Sequence, residues 1–256
     1  MNHSSIKQIT QYQKEHYEWE FNENTYPLDN YAFVLEKMGG KNKLKILDIG
    51  GGNGVFALSL KKYFKDKGSE IEIYVVDPVE YKAFEKHANE IHFIKDSAAN
   101  LSKLFQQETF DLIFANNVFH HFVSGGWSTA IHGIGNVLLE AKKILKKDGL
   151  ICITDFFYDG YDGFDTLPSR MIYRLTSCTT PVLAKIMKKM GAVSVGVGVC
   201  FLSKQKWFSL FSQSDLVVEM FQEGFVDKRN GIKKLYDICF CIKRCVVKNI
   251  MVVKKY

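Results

Sequence analysis

No apolar run in the sequence approaches the roughly 18 residues that a membrane-spanning helix requires. The opening MNHSSIKQITQYQKEHYEWE is polar with interleaved aromatics, not a charged stretch followed by an apolar one. Neither a membrane span nor a secretory signal is expected, which points to a soluble, cytoplasmic protein. The six cysteines (Cys152, Cys178, Cys200, Cys239, Cys241 and Cys245) show no C-x-x-C spacing, and most have apolar neighbours. Buried free thiols are therefore expected, with no zinc site, no disulfide framework and no other metal centre. Internal repeats and low-complexity linkers are lacking, and glycine and proline do not cluster into a domain boundary. The 256 residues, 46% of them hydrophobic, suffice for one large domain with a buried core.

Charge is unevenly distributed. Lys228 to Tyr256 carries nine Lys or Arg against the single acid Asp237, so this segment is +8 and the rest of the chain −2, within a total of +6. An anionic partner is one reading. The other is that KLYDICFCIKRCVVKNIMVVKK forms two strands whose lysines decorate ends and an exposed edge.

Strand and helix signals alternate along the middle of the chain. LKILDIG, EIEIYVVD, HFIKD, FDLIFAN and GLICITDFF read as five strands. GVFALSLKKYF has helical spacing, and WSTAIHGIGNVLLEAKKILKKDG reads as a helix stopped by Lys-Asp-Gly. This order implies an α/β, doubly wound, mostly parallel sheet with helices on both faces, and a ligand beyond the carboxyl ends of its strands.

The first strand runs into ILDIGGGNG, with glycines at positions 50, 51, 52 and 54. Backbone that turns at Gly50 and Gly52 without Cβ atoms lets a ligand lie on the main chain, while the following helix offers free N–H groups. A dinucleotide fingerprint would need glycine where Val55 stands.

The pattern D-x-G-x-G-x-G from Asp48 resembles motif I of the class I S-adenosylmethionine-dependent methyltransferases, and further elements over Leu44 to Asp155 are similar to that family in the same order. The resemblance implies a seven-stranded sheet and S-adenosyl-L-methionine as cofactor. It implies ribose recognition by Asp77 at the end of VVDP, with Pro78 beside the adenine. It also places Asp96 of KDSAANL, with Ser97 following, near the adenine amino group, and the backbone at Ala115 and Asn116 near the methionine portion. LLEAKKILKKDGLICITD matches the helix and fifth strand, although Asp148 replaces the family's proline and Leu150 its second glycine. Each acid also has a plain structural reading: Asp77 and Asp96 as caps of the following turns, Asp48 as a buried acid bonded to loop amides.

His120 and His121, directly after the fourth strand, are the candidates for a general base, with His121 slightly ahead; packing at a helix start is the competing role. The stretch between the fifth strand and the last pair of strands, about 50 residues, exceeds ordinary connections of about 2 to 6 residues plus a helix. A cap of one or two helices over an acceptor pocket is expected at 158–208. The core is expected at 44–157, a helical lid at 1–43 bearing Tyr12, Tyr17, Trp19, Phe21 and Tyr26, and final strands at 209–256. LVVEMFQEGFV and the cationic end are expected to supply those strands. A small-molecule acceptor is favoured over a nucleic acid, because Asn116-Asn117-Val118-Phe119 is not an N/D-P-P-Y/F motif. Methylation of a protein, or binding of the cofactor without catalysis, would also be compatible with these motifs.

Overall fold

A computed structural model describes residues 26–81, 89–123, 125–181, 185, 194–227 and 232–256. The expected aromatics Tyr12, Tyr17, Trp19 and Phe21 lie outside the described residues. Strands β1 (Lys43–Ile49), β2 (Glu70–Asp77), β3 (His92–Lys95), β4 (Phe110–Asn116) and β5 (Leu145–Gly160) are joined by β6 (Leu216–Gln222), β7 (Phe225–Val226) and β8 (Ile242–Lys255). They form one eight-stranded sheet in the order β3-β2-β1-β4-β5-β8-β6, with the short β7 paired to β8. β1 to β5 pair in parallel, whereas β8 runs antiparallel to both β5 and β6.

The central strands are apolar on both faces because helices cover both. Alternate residues go to opposite sides, as the period of two in a strand requires. Leu47 and Ile49 of β1, Ile113 and Ala115 of β4, and Ile151 and Ile153 of β5 join one buried cluster. That cluster includes Leu101 of α3 (Leu101–Leu104), Ile134, Val137, Leu138 and Ala141 of α4 (Trp127–Ile144) and Trp207 and Phe211 of α6 (Lys204–Gln213). Ile46, Leu112, Phe114, Leu150 and Cys152 face the other way, against Phe56, Leu60 and Phe64 of α2 (Val55–Asp66) and Val34, Leu35 and Met38 of α1 (Ala32–Met38). Full burial of each large aliphatic or aromatic side chain stabilises by about 1.5 to 3 kcal/mol, so this two-sided core holds the carboxyl edges of the strands rigid.

Two elements differ from the sequence expectation. α4 gives way to β5 at Leu145, before Lys-Asp-Gly is reached. Leu145 pairs with Phe110 and Leu150 with Leu112, so the residues between them are extruded from the register, and Lys146 reaches the buried Asp111 at 2.7 Å. The cationic tail is not two strands. Ile232–Cys239 is a helix, α7, and only β8 is a strand, seated between β5 and β6 and not at an edge. Its register against β5, from Ile151↔Val253 to Gly160↔Ile242, uses the backbone groups of β8 that an edge strand would leave unpaired. The lysines at its ends pair with acids: Lys243 with Asp162, Lys254 with Glu219 and Lys255 with Glu108.

α5 (Leu167–Thr176) follows β5 and is tied to the start of α4, where Trp127 Nε1 donates to Ser169 Oγ at 2.8 Å and the Tyr173 hydroxyl donates to the Gly125 carbonyl. Among the described residues no helix is long and apolar enough to cross a membrane.

Candidate active site

The turn after β1 opens on the carboxyl edge of the sheet. Gly50, Gly52 and Gly54 all have positive φ, at 69°, 55° and 82°, where a side chain is strained. They also differ in what surrounds them. A Cβ on Gly50 would lie 2.3 Å from Val118 Cγ2, and one on Gly51 would lie 2.4 Å from Asp48 Oδ2, whereas nothing stands within 4 Å of a Cβ on Gly52. The loop is thus pressed against β4's following turn and the sheet on one side, and presents Gly52 to open space on the other.

Asp77, at the end of β2, accepts from Gly52 N at 3.2 Å and from Val79 N at 2.8 Å. Burial pushes its carboxyl up to about 6 against the lowering effect of those two amides. Asp48 is buried beneath the loop with Oδ2 lacking a hydrogen-bond partner; burial first, and Asp77 second, push its carboxyl well above the usual range. Asp48 therefore underpins the loop from below, and Asp77 is the acid held at its rim. Pro78 follows Asp77 and is exposed. After β3, Asp96 accepts from Ser97 N at 2.6 Å and Asn100 Nδ2 at 2.8 Å, and Ser97 Oγ accepts from Ala99 N at 3.2 Å. Both therefore order the turn they stand in, at the carboxyl end of the strand beside β2.

Beyond β4, Asn116 Oδ1 accepts from the Tyr31 hydroxyl at 2.9 Å, and Tyr31 packs on Phe56 and Phe114. That bond fixes the amide so that Nδ2 is buried without a hydrogen-bond partner. Tyr31 is a site residue that the sequence reading missed. Its burial beside β4 depends on the path of the chain before β1, for which the local sequence carries no signal.

The histidine pair lies in a single 3-10 turn, Phe119–His121. His120 Nδ1 stands 2.8 Å from Oδ1 of Asp155, which is fully buried near the end of the parallel part of β5. The His120 carbonyl accepts from Cys200 N at 2.8 Å, and its ring lies 4.2 Å from that of His121 and 4.5 Å from Phe201. His121 is held by burial, and next by His120, well below the usual imidazole range, so it is neutral at pH 7. His120 thus has a buried carboxylate partner, Asp155, whereas the sequence reading put His121 slightly ahead. Asp155 was the other omission, and its signal was present as the polar end of ICITD.

The structure therefore brings Asp48, Gly50, Gly52, Asp77, Asp96, Ser97, Asn116 and His120 to the carboxyl edges of β1, β2, β3 and β4. A methyltransferase domain model matches residues 18–227. The chain belongs to the class I S-adenosylmethionine-dependent methyltransferases; it is an enzyme of that class, with S-adenosyl-L-methionine as cofactor. Solved structures of similar fold include a putative sarcosine dimethylglycine methyltransferase from Galdieria sulphuraria, with 15% identity over 96% of this chain and 98% of that one and a TM-score of 0.60. Another is a putative methyltransferase from Bacillus halodurans, with 15% identity over 90% and 99% and a TM-score of 0.57. A third, the 1,6-didemethyltoxoflavin-N1-methyltransferase of Burkholderia thailandensis, contains 1,6-didemethyltoxoflavin and S-adenosylhomocysteine; it has 15% identity over 95% and 83% and a TM-score of 0.55. No curated protein sequence matches the chain.

The residues present fit the cofactor. Gly52 faces the open space that a Cβ would invade, Asp77 is the carboxylate beside it, and the unpartnered Asn116 Nδ2 is a donor at the neighbouring strand end.

Proposed function

We propose that this enzyme methylates a small-molecule acceptor held beside His120. The observation that carries the reading is the path of residues 194–203, which return across the turn after β4: Cys200 N binds the His120 carbonyl, and Leu202 bridges Phe157. Phe156, Tyr158 and Phe201 make an aromatic wall there, with ring centroids 5.6 Å apart for Phe156 and Phe201 and 4.9 Å for Tyr158 and Phe201. Such a wall suits a compact organic acceptor. Phe156 and Tyr158 come from β5, and Phe201 from the stretch expected to form the cap. The names of two structural relatives, a 1,6-didemethyltoxoflavin-N1-methyltransferase and a putative sarcosine dimethylglycine methyltransferase, agree with small acceptors. The basic tail gives less support to a nucleic-acid acceptor, because Lys243, Arg244, Lys254 and Lys255 are paired with acids. The free cysteines agree with a cytoplasmic setting.

In this reading Asp77 receives the ribose hydroxyls, with Pro78, Asp96 and Ser97 along the adenine side. The Gly50 to Gly52 backbone and Asn116 flank the methionine portion, and Asp48 supports the loop. Bound there, the cofactor supplies an electrophilic methyl carbon on a sulfonium. The chain's task is to place the acceptor in line behind that carbon and to exclude water. His120 and His121 are, in this reading, the groups that receive the acceptor's proton.

The test is calorimetry of S-adenosylmethionine binding, followed by measurement of S-adenosylhomocysteine release across fractionated small-metabolite pools and, separately, with total RNA and protein extracts. Release only with the macromolecular fractions would sink the small-molecule reading.

A further inference from the structure

Asn116 ends β4 with Thr154 of β5 as its register partner, and Tyr31 lies across the two. The Tyr31 ring is 2% exposed and packs on three others, with centroids 5.2 Å from Phe56, 5.6 Å from Phe114 and 6.4 Å from Tyr26. The same segment is anchored on α2, where Tyr26 N donates to Ser59 Oγ at 2.8 Å. A ring so enclosed holds its hydroxyl in one place. That hydroxyl is 2.9 Å from Asn116 Oδ1 and 3.4 Å from Thr154 Oγ1. It has a single proton, which goes to the shorter contact, and the Thr154 hydroxyl then turns its own proton toward Tyr31. Burial first, and Tyr26 second, push the Tyr31 hydroxyl well above its ordinary value, so it stays a donor at any working pH. With Oδ1 engaged there, the other end of the Asn116 amide is a buried donor without a hydrogen-bond partner. Such a donor is costly to leave unmatched. The register pairs Ile49 with Ala115, and one step beyond it Asn116 is level with Gly50 of the glycine turn.

We propose that Tyr31 is a positioning residue that turns the Asn116 amide so that Nδ2 donates to the carboxylate of the cofactor's methionine portion. This proposal rests on the cofactor placement given above. The methionine portion offers an ammonium, a sulfonium and a carboxylate, and of these only the carboxylate accepts a hydrogen bond from an N–H. A fixed donor therefore selects it. The amide turned over would present Oδ1 and select the ammonium instead, and the bond from Tyr31 to Oδ1 opposes that arrangement. Tyr31 itself need not touch the cofactor, because it acts through Asn116. In consequence the segment before β1 distinguishes ligands that carry the full amino-acid tail from those that lack its carboxylate, whereas Asp77 reads the ribose common to both.

Calorimetry with three probes tests it: S-adenosylmethionine, its decarboxylated form, which keeps the amine, and methylthioadenosine, which lacks the whole tail. Asn116→Ala should weaken S-adenosylmethionine by about 10-fold or more, the loss expected for a hydrogen bond to a charged group. Tyr31→Phe, which frees the amide to turn, should weaken it by about 5- to 10-fold. Neither variant should move the Kd of the other two probes by more than about twofold. Asn116→Asp sets one carboxylate against another and should reverse the wild-type preference for S-adenosylmethionine over its decarboxylated form. Asp77→Asn should weaken all three probes, which marks them as occupying one site. If Tyr31 served packing alone, Tyr31→Phe would weaken the three equally, or lower the melting temperature with every Kd unchanged; either result overturns the inference. Equal losses for S-adenosylmethionine and its decarboxylated form, with methylthioadenosine unaffected, would mean that the amide faces the ammonium, and would overturn it as well. A tail-specific loss in Tyr31→Phe with Asp77→Asn silent would support Tyr31 and count against the ribose placement instead.

Discussion

Val118 Cγ2 occupies the place where a side chain on Gly50 would have to go, since a Cβ there would sit 2.3 Å away. The turn after β1 and the turn after β4 are thereby locked together. This contact couples the cofactor loop to the histidine turn that begins one residue later, so loop geometry and acceptor chemistry share one rigid edge.

Gly52 is the complementary case, with its Cβ direction empty out to 4 Å. Gly52→Val should leave the fold intact apart from the strain at positive φ, about 1 to 2 kcal/mol, and should abolish S-adenosylmethionine binding by filling the loop's open side. Gly149→Ala, at the other end of the strands, would set its Cβ 2.8 Å from Leu145 Cδ1 and 3.1 Å from the Asp111 carbonyl. It should lower the melting temperature and leave Kd unchanged. Calorimetry and thermal melts on both variants check this, and equal losses of affinity would mean that the loop has been given the wrong role.

Asp77 predicts a pH dependence of binding. Burial raises its carboxyl to about 6, so the ionised form proposed to receive the ribose hydroxyls is lost below that pH. Affinity should be flat above pH 7 and fall toward tenfold per unit below 6, while Asp77→Asn should bind about 2 to 3 kcal/mol more weakly with no limb in this window. The sign for stability is opposite to that of an ion-paired acid. A carboxyl raised from 3.8 contributes stability that is fully present below that value and lost as pH rises through about 6. Without cofactor, the melting temperature of Asp77→Asn should therefore gain on the wild type between pH 4 and 7. A melting temperature of Asp77→Asn that falls relative to the wild type as pH rises over that range would refute the assignment.

Asp111 lies on the amino-terminal side of the sheet and should affect stability alone. Burial by itself would raise its carboxyl, but Lys146, the Lys45 amide and Lys41 outweigh burial and hold it below the usual range. Its carboxylate receives Lys45 N at 3.0 Å, Lys41 Nζ at 3.1 Å and Lys146 Nζ at 2.7 Å. A lowered acid contributes stability that is present above its ordinary value and lost as pH falls through the folded one. Asp111→Asn should cost about 1 to 3 kcal/mol at pH 7, and the cost should vanish in acid, with cofactor Kd unchanged. Urea unfolding at pH 7 and pH 3 would decide it.

The sequence by itself determined the parallel half of the sheet. FDLIFAN and EIEIYVVD are strands over the residues expected, the first apolar but for Asp111 and Asn116, the second alternating at its start and apolar toward its buried end. It also determined the acid that ends β2 and the glycine turn, where positive φ and close backbone approach leave few residues to choose from. The tertiary structure decided the rest. IKKLYDIC carries both strand and helix patterns, and it became a helix because β5 and β6 together enclose β8 alone. His120 meets the Asp155 carboxylate across 35 residues, and Tyr31 reaches Asn116 across 85. Contacts of that span leave no local period in the chain; they exist only once packing on both faces of the sheet has brought the strand ends side by side.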